Sequence, residues 1–216
     1  MTQRTGTMVQ ELAMRLTKHH GLENDFLVAL AREVPRDIEK LARELCDRRT
    51  GIGADGLLLG LPGSDGADLA MVLHNADGSP AEMSGNGIRC LAQAHAMANS
   101  TGPTSLEIDT AGGRRSVTID GDQSEAQVTV AMGPVGPGPG VHADILRELG
   151  STLAATADLG NPHLVVAVED QDLIDIATIG PYYEAFYPDG INVEFISVRK
   201  NDPNALDMVV WERGVG

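Results

Sequence analysis

The stretch NADGSPAEMSGNGIRC, residues 75–90, sets an Asn-x-Asp-Gly-Ser turn ahead of a Gly-Asn-Gly step. The residues beyond it, Cys90, Leu91, Ala94, Met97 and Ala98, fall at helical spacing. This predicts a helix that opens just after Ser84 and packs closely inside the fold through a stripe of small residues. A helix start carries N–H groups outside the helical ladder and a partial positive charge. Gly85, Asn86 and Gly87 would let a carboxylate approach that backbone directly. The same glycines also suit a tight strand-to-helix turn, so the step alone leaves both readings open.

Upstream, RDIEKLARELCDRR predicts a second helix, with Ile38, Leu41, Ala42, Leu45 and Cys46 on one face and Gly51 just beyond its end. MRLTKHHG, DGLLLG, DLAMVLHN, SLEIDT, RRSVTID and AQVTVAM read as strands separated by Gly or Asp-Gly turns. Strand signals resume in LAATADLGNPHLVVAV, INVEFISV and LDMVVWERG. The expected class is α+β, with an N-terminal lobe over residues 14–121, a C-terminal lobe over 122–216 and a polar extension over 1–13. The extension lacks periodicity, which makes Met14 a second candidate start. MGPVGPGPG, residues 132–140, is expected to be an ordered loop or lobe connection. The chain stops inside the glycine-rich turn of VVWERGVG, so a truncated second lobe is expected.

Composition narrows the function classes. A length of 216 residues suffices for a substantial core, and no apolar run approaches the roughly 20 residues of a membrane helix. No basic segment leads into an apolar h-region, so the chain is expected in the cytoplasm. The formal charge of −15 opposes binding to nucleic-acid phosphates. Cys46 and Cys90 are expected as reduced thiols rather than a disulfide. His19, His20, His74, His95 and His142 lack the spacing of zinc ligands, and no Gly-x-Gly-x-x-Gly fingerprint opens a helix after a strand.

Beside the turn at Asn75, Asp77 and Ser79, the chain carries HGLENDF (residues 20–26), GIGADG (51–56), GNPH (160–163), YPDGINVEF (187–195) and ERG (212–214). In this order, from about Met14 to the last residue, the segments resemble the diaminopimelate epimerase family. The resemblance implies an isomerase that interconverts LL- and meso-diaminopimelate in lysine and peptidoglycan synthesis. It implies two similar β-rich lobes, each wrapped around a central helix, with the substrate between them and neither metal nor pyridoxal phosphate. In that family two cysteines, each at a helix start, exchange the α-proton on opposite faces of the substrate. Helix N–H groups stabilise a thiolate and the enolate-like carboxylate together.

Carried over residue by residue, the resemblance implies that Asn24 and Asn75 bind substrate and that Gly85 and Asn86 cradle the reacting carboxylate. Asn161 and Asn192 would contact the distal amino-acid end, and Glu212 and Arg213 would complete the set. A guanidinium forks onto a carboxylate and a carboxylate accepts from an ammonium, which suits a ligand with both groups at each end. Singly, each asparagine is equally a turn former or local cap. His163 either shapes the reacting centre from behind these residues or is a satisfied structural histidine. Asp77 is expected to fix its own turn.

Three positions depart from the family pattern. Ser84 stands where the first catalytic cysteine is expected, and Cys90 lies too far along the helix to replace it. Glu23 stands where the family has glycine. The Ala-Cys-Gly segment that carries the second cysteine falls beyond Gly216, so the resemblance implies that the 216-residue chain is by itself an inactive fragment. Two alternatives remain open: a proline or hydroxyproline racemase-like isomerase or dehydratase, in which serine occurs at a paired position, and a non-catalytic amino-acid binder. The expected partner is a small molecule, with a homodimer left open.

Overall fold

Alternating and fully apolar runs set the strands of a mixed α+β chain. The computed structural model describes residues 14–81, 83–121, 126–149 and 153–213. The expected extension over 1–13 lies outside these residues. The chain divides into two units at Ala131 and Met132.

The first unit is built on β1 (Thr17–Gly21), β2 (Asn24–Leu30), α1 (Ile38–Cys46), β3 (Gly56–Pro62), β4 (Leu69–Asn75), β5 (Pro80–Ala81), α2 (Gly85–Asn99), β6 (Thr104–Thr110), β7 (Gly113–Asp120) and β8 (Gln127–Val130). Its sheet runs in the order β1-β2-β3-β4-β6-β7-β8, with β5 paired to β4. Strand β3, GLLLGLP, is buried along most of its length because both faces are covered. Leu57 and Leu59 join Ala42 and Cys46 of α1 in one cluster. On the other face a Cβ on Gly60 would stand 2.7 Å from Leu91 of α2, so that glycine lets helix and strand approach closely. Helix α2 also packs against β1, β2, β4, β7 and β8, which makes it the central element of this unit.

The second unit consists of β9 (Gly136–Pro137), α3 (Ala143–Leu149), β10 (Ala154–Asp158), β11 (Pro162–Ala167), α4 (Ile176–Glu184), β12 (Asn192–Val198) and β13 (Leu206–Trp211). Its sheet order is β13-β12-β11-β10-β9. Ile145, Leu164, Val166, Tyr183, Val193 and Phe195 form its core.

Several expectations need correction. The lobe boundary moves from Gly121 to Ala131, because β8 continues the first sheet by pairing antiparallel with β7. Met97 and Ala98 are exposed, since the last turn of α2 leaves the packed stripe. LAATADLGNPHLVVAV is an antiparallel hairpin of β10 and β11 that turns at Gly160, whose φ is +97°. Strand β2 and helices α3 and α4 are additional elements. Gly180 and Pro181 inside α4 hide it from a propensity reading.

Candidate active site

The serine before Gly-Asn-Gly becomes a helix cap. Ser84 is the N-cap of α2, and its Oγ accepts from the Gly87 N–H at 3.0 Å. The Ser84 carbonyl takes the Ile88 N–H at 2.9 Å. Asn86 follows in the first turn; its Oδ1 accepts from Arg89 and its side chain lies against Gly21 at the end of β1. Cys90 is buried in the next turn, and burial pushes its thiol up to about 11, as it does for Cys46. Cys90 is therefore no substitute for a thiolate at position 84.

Asn24 and Asn75 come to the same end of β2 and β4, the two strands that flank β3, where the residue pairs Phe26–Gly56 and Gly56–Asn75 align all three. Asn24 Nδ2 donates to Asp55 Oδ2 at 3.0 Å, and the Asp25 N–H donates to the same oxygen at 2.9 Å. Arg48 binds Asp25 at 2.6 Å and Asp55 at 2.7 Å, and Lys18 reaches Asp25 at 2.9 Å. The Arg48 guanidinium, assisted by Lys18, holds the Asp25 carboxyl well below the usual carboxylate range against the opposing effect of burial. Lys18, His19, His20, Glu23, Asp25 and Arg48 line an open hollow of about 440 Å³. Asp77 fixes its turn by accepting from the Ser79 N–H at 2.8 Å and from its hydroxyl at 2.6 Å. Asn75 Nδ2 donates to that hydroxyl oxygen at 3.1 Å.

In the second unit, parallel pairing of β11 and β12 sets His163 beside Asn192. His163 Nδ1 lies 2.6 Å from Glu194 Oε1 and Nε2 lies 3.0 Å from Asn161 Oδ1. Asn192 is buried, donates to the Pro162 carbonyl at 3.2 Å and accepts from the Arg213 N–H at 2.8 Å. Its amide thus ties the GNPH turn to the ERG segment, a structural task beside the one expected for it. Asn161, His163, Asn192 and Arg213 are brought together, while Glu212 is exposed beside them. Among the described residues, no His, Cys, Asp and Glu side chains gather into a group able to hold a metal.

The sequence reading did not single out Asp55, Arg48 or Glu194. Asp55 carried a signal, an acid between Ala and Gly at the mouth of an apolar strand; Glu194 carried one too, an acid inside the apolar run INVEF.

A family model described as diaminopimelate epimerase matches residues 16–136. The diaminopimelate epimerase of Trichodesmium erythraeum is 40% identical over 93% of this chain and 76% of its own length. That of Nostoc punctiforme is 40% identical over 95% and 78%. A probable proline racemase from Agrobacterium radiobacter shares the fold with a TM-score of 0.69 at 16% identity, covering 93% of this chain and 71% of its own. A hydroxyproline epimerase from Agrobacterium vitis does so at 0.58 and 16%, over 93% and 70%. The capped helix start, the ordered set of amide-bearing turns and relatives alike over nearly the whole sequence agree: the chain belongs to the diaminopimelate epimerase family.

Proposed function

We propose that this isomerase exchanges the α-proton of diaminopimelate at the start of α2, interconverting the LL and meso forms without a cofactor. Ser84 takes the proton-exchange position, Gly85 and Asn86 cradle the reacting carboxylate, and Asn24 and Asn75 bind the same substrate. Asn161, Asn192, Glu212 and Arg213 serve the distal ammonium and carboxylate, with His163 behind them. The observation that carries the reading is the Ser84 cap. Its oxygen accepts from the Gly87 N–H, and a hydroxyl that accepts a hydrogen bond can also donate one to a ligand. Preorganised donors at a helix start favour a carboxylate that gains enolate character. A hydroxyl is far less acidic than a thiol, so one half-reaction is slow in this protein.

The reading extends to a cytoplasmic protein without a nucleic-acid partner, in line with two free thiols and a formal charge of −15. Among the described residues no helix is long and apolar enough to cross a membrane. A homodimer is the oligomeric form to seek by light scattering.

The test is solvent-deuterium exchange at the α-carbon, run on the full-length gene product. Exchange into diaminopimelate and none into proline derivatives supports the reading. Exchange into proline favours the racemase alternative, and exchange into neither favours a binder. Calorimetry should show weaker binding of lysine, which lacks the second carboxylate; equal affinity would contradict the assignment.

A further inference from the structure

The side-chain amide of Asn24 has two ends of opposite character, and what it offers a ligand depends on which end the protein holds. Asp55 holds the NH2 end, with Nδ2 3.0 Å from Oδ2. An ionised carboxylate only accepts hydrogen bonds, so a reversed amide would set Asn24 Oδ1 against Oδ2, two acceptors facing each other. Asp55 is itself fixed on three sides. Its Oδ2 takes the Asp25 N–H at 2.9 Å, its Oδ1 takes Arg48 at 2.7 Å, and its own N–H donates to the Asp25 carbonyl at 2.9 Å and to Asp25 Oδ1 at 3.1 Å. Arg48 also offsets the charge of Asp55, so the amide dipole of Asn24, more than the carboxylate behind it, meets the ligand.

We propose that Asp55 is a positioning residue that locks Asn24 with its carbonyl oxygen outward, making Asn24 an acceptor for a substrate ammonium group. The inference rests on the assignment of Asn24 as a substrate-binding residue and adds the direction of its hydrogen bond and the residue that sets it. In Asp55→Asn a single oxygen cannot serve Asn24 Nδ2 and the Asp25 N–H on one side and Arg48 on the other. Where it turns to the Arg48 cation, the new NH2 group donates to Asn24 Oδ1 and sets the Asn24 NH2 group outward toward a cation it cannot accept from.

The experiment compares four variants of the full-length gene product in diaminopimelate epimerisation. Asn24→Ala and Asp55→Asn should each raise KM about tenfold, with kcat changed by roughly threefold or less, because a binding contact is lost. The double variant should be no worse than Asn24→Ala, since Asp55 acts through Asn24. Arg48→Gln controls for stability: it should lower the melting temperature as Asp55→Asn does while the Asn24–Asp55 bond remains, and it is compared through the Asn24 amide rather than KM because Arg48 also offsets the charge of Asp55. The side-chain amide protons of Asn24, followed by NMR, should lose their charge-assisted shift in Asp55→Asn and keep it in Arg48→Gln. A KM effect from Asn24→Ala with none from Asp55→Asn, or full additivity in the double variant, overturns the role of Asp55. Wild-type KM in Asn24→Ala instead overturns the assignment of Asn24, and the proposal with it.

Discussion

The two units use their sheets differently. In the first, β3 is covered twice: Leu57 and Leu59 pack under α1, whereas Leu58 and Gly60 meet α2. In the second, Leu164, Val166, Val193 and Phe195 are sealed by α3 and α4, but the opposite face of β13 shows Leu206 and Met208 at 56% and 58% exposure. Strand pleating puts His163 and Glu194 on that second face, away from the core side chains of β11 and β12. The comparison teaches that the two units place their candidate residues by different means. One sets them at strand ends and a helix start around a core closed on both sides, the other on the face of its sheet turned away from the hydrophobic core, where Asn192 and Glu194 are nonetheless buried.

The largest expected effect breaks or confirms that contrast. Leu58→Ala should cost about 3 kcal/mol in denaturant unfolding, while Met208→Lys should stay within about 0.5 kcal/mol. Equal losses would mean that the β13 face is covered in solution. Next comes Gly180→Ala, whose added methyl carbon would lie 2.4 Å from Trp211 Cβ; it should destabilise by roughly 2 kcal/mol through overpacking between α4 and β13. A neutral result would show that this contact is looser than the helix position requires.

A smaller effect, of opposite sign, belongs to the β1–β2 turn. Leu22 and Glu23 both hold left-handed backbone, at φ of +54° and +69°, a conformation glycine adopts at little cost. Glu23→Gly should therefore stabilise by about 1 kcal/mol, read as a raised urea midpoint, and a lowered midpoint would show that the Glu23 side chain makes a compensating contact. An effect that depends on pH concerns Asp25. Its folded carboxyl titrates below the unfolded value of about 3.9, so its contribution is complete above that pH and is lost as pH falls toward the folded value. The stability gap between wild type and Asp25→Asn should close as pH drops below about 4 and stay constant above about 5; a gap that widens in acid would contradict the ion-pair origin.

Much of this was legible in the sequence where a local pattern carried it. The stripe Ile38, Ala42, Cys46 marked α1, and the helical spacing after Ser84 marked the start of α2, whereas the capping bond of Ser84 appears only in the structure. Strand β2 was missed because burial on both faces removes the alternation that marks a strand, and α4 because Gly180 and Pro181 interrupt its pattern. The orienting acids were missed for another reason. Asp55 lies 31 positions from Asn24 and Glu194 lies 31 from His163, and no local periodicity records which distant strands become neighbours.

The central claim, that position 84 exchanges a proton with the substrate, is tested most directly by Ser84→Cys in the full-length gene product. A thiol at the same helix start becomes a populated thiolate, and the binding amides lie elsewhere. Turnover of diaminopimelate should rise about tenfold or more while substrate affinity stays within roughly twofold. Unchanged or lowered turnover in Ser84→Cys, or wild-type turnover in Ser84→Ala, would contradict it.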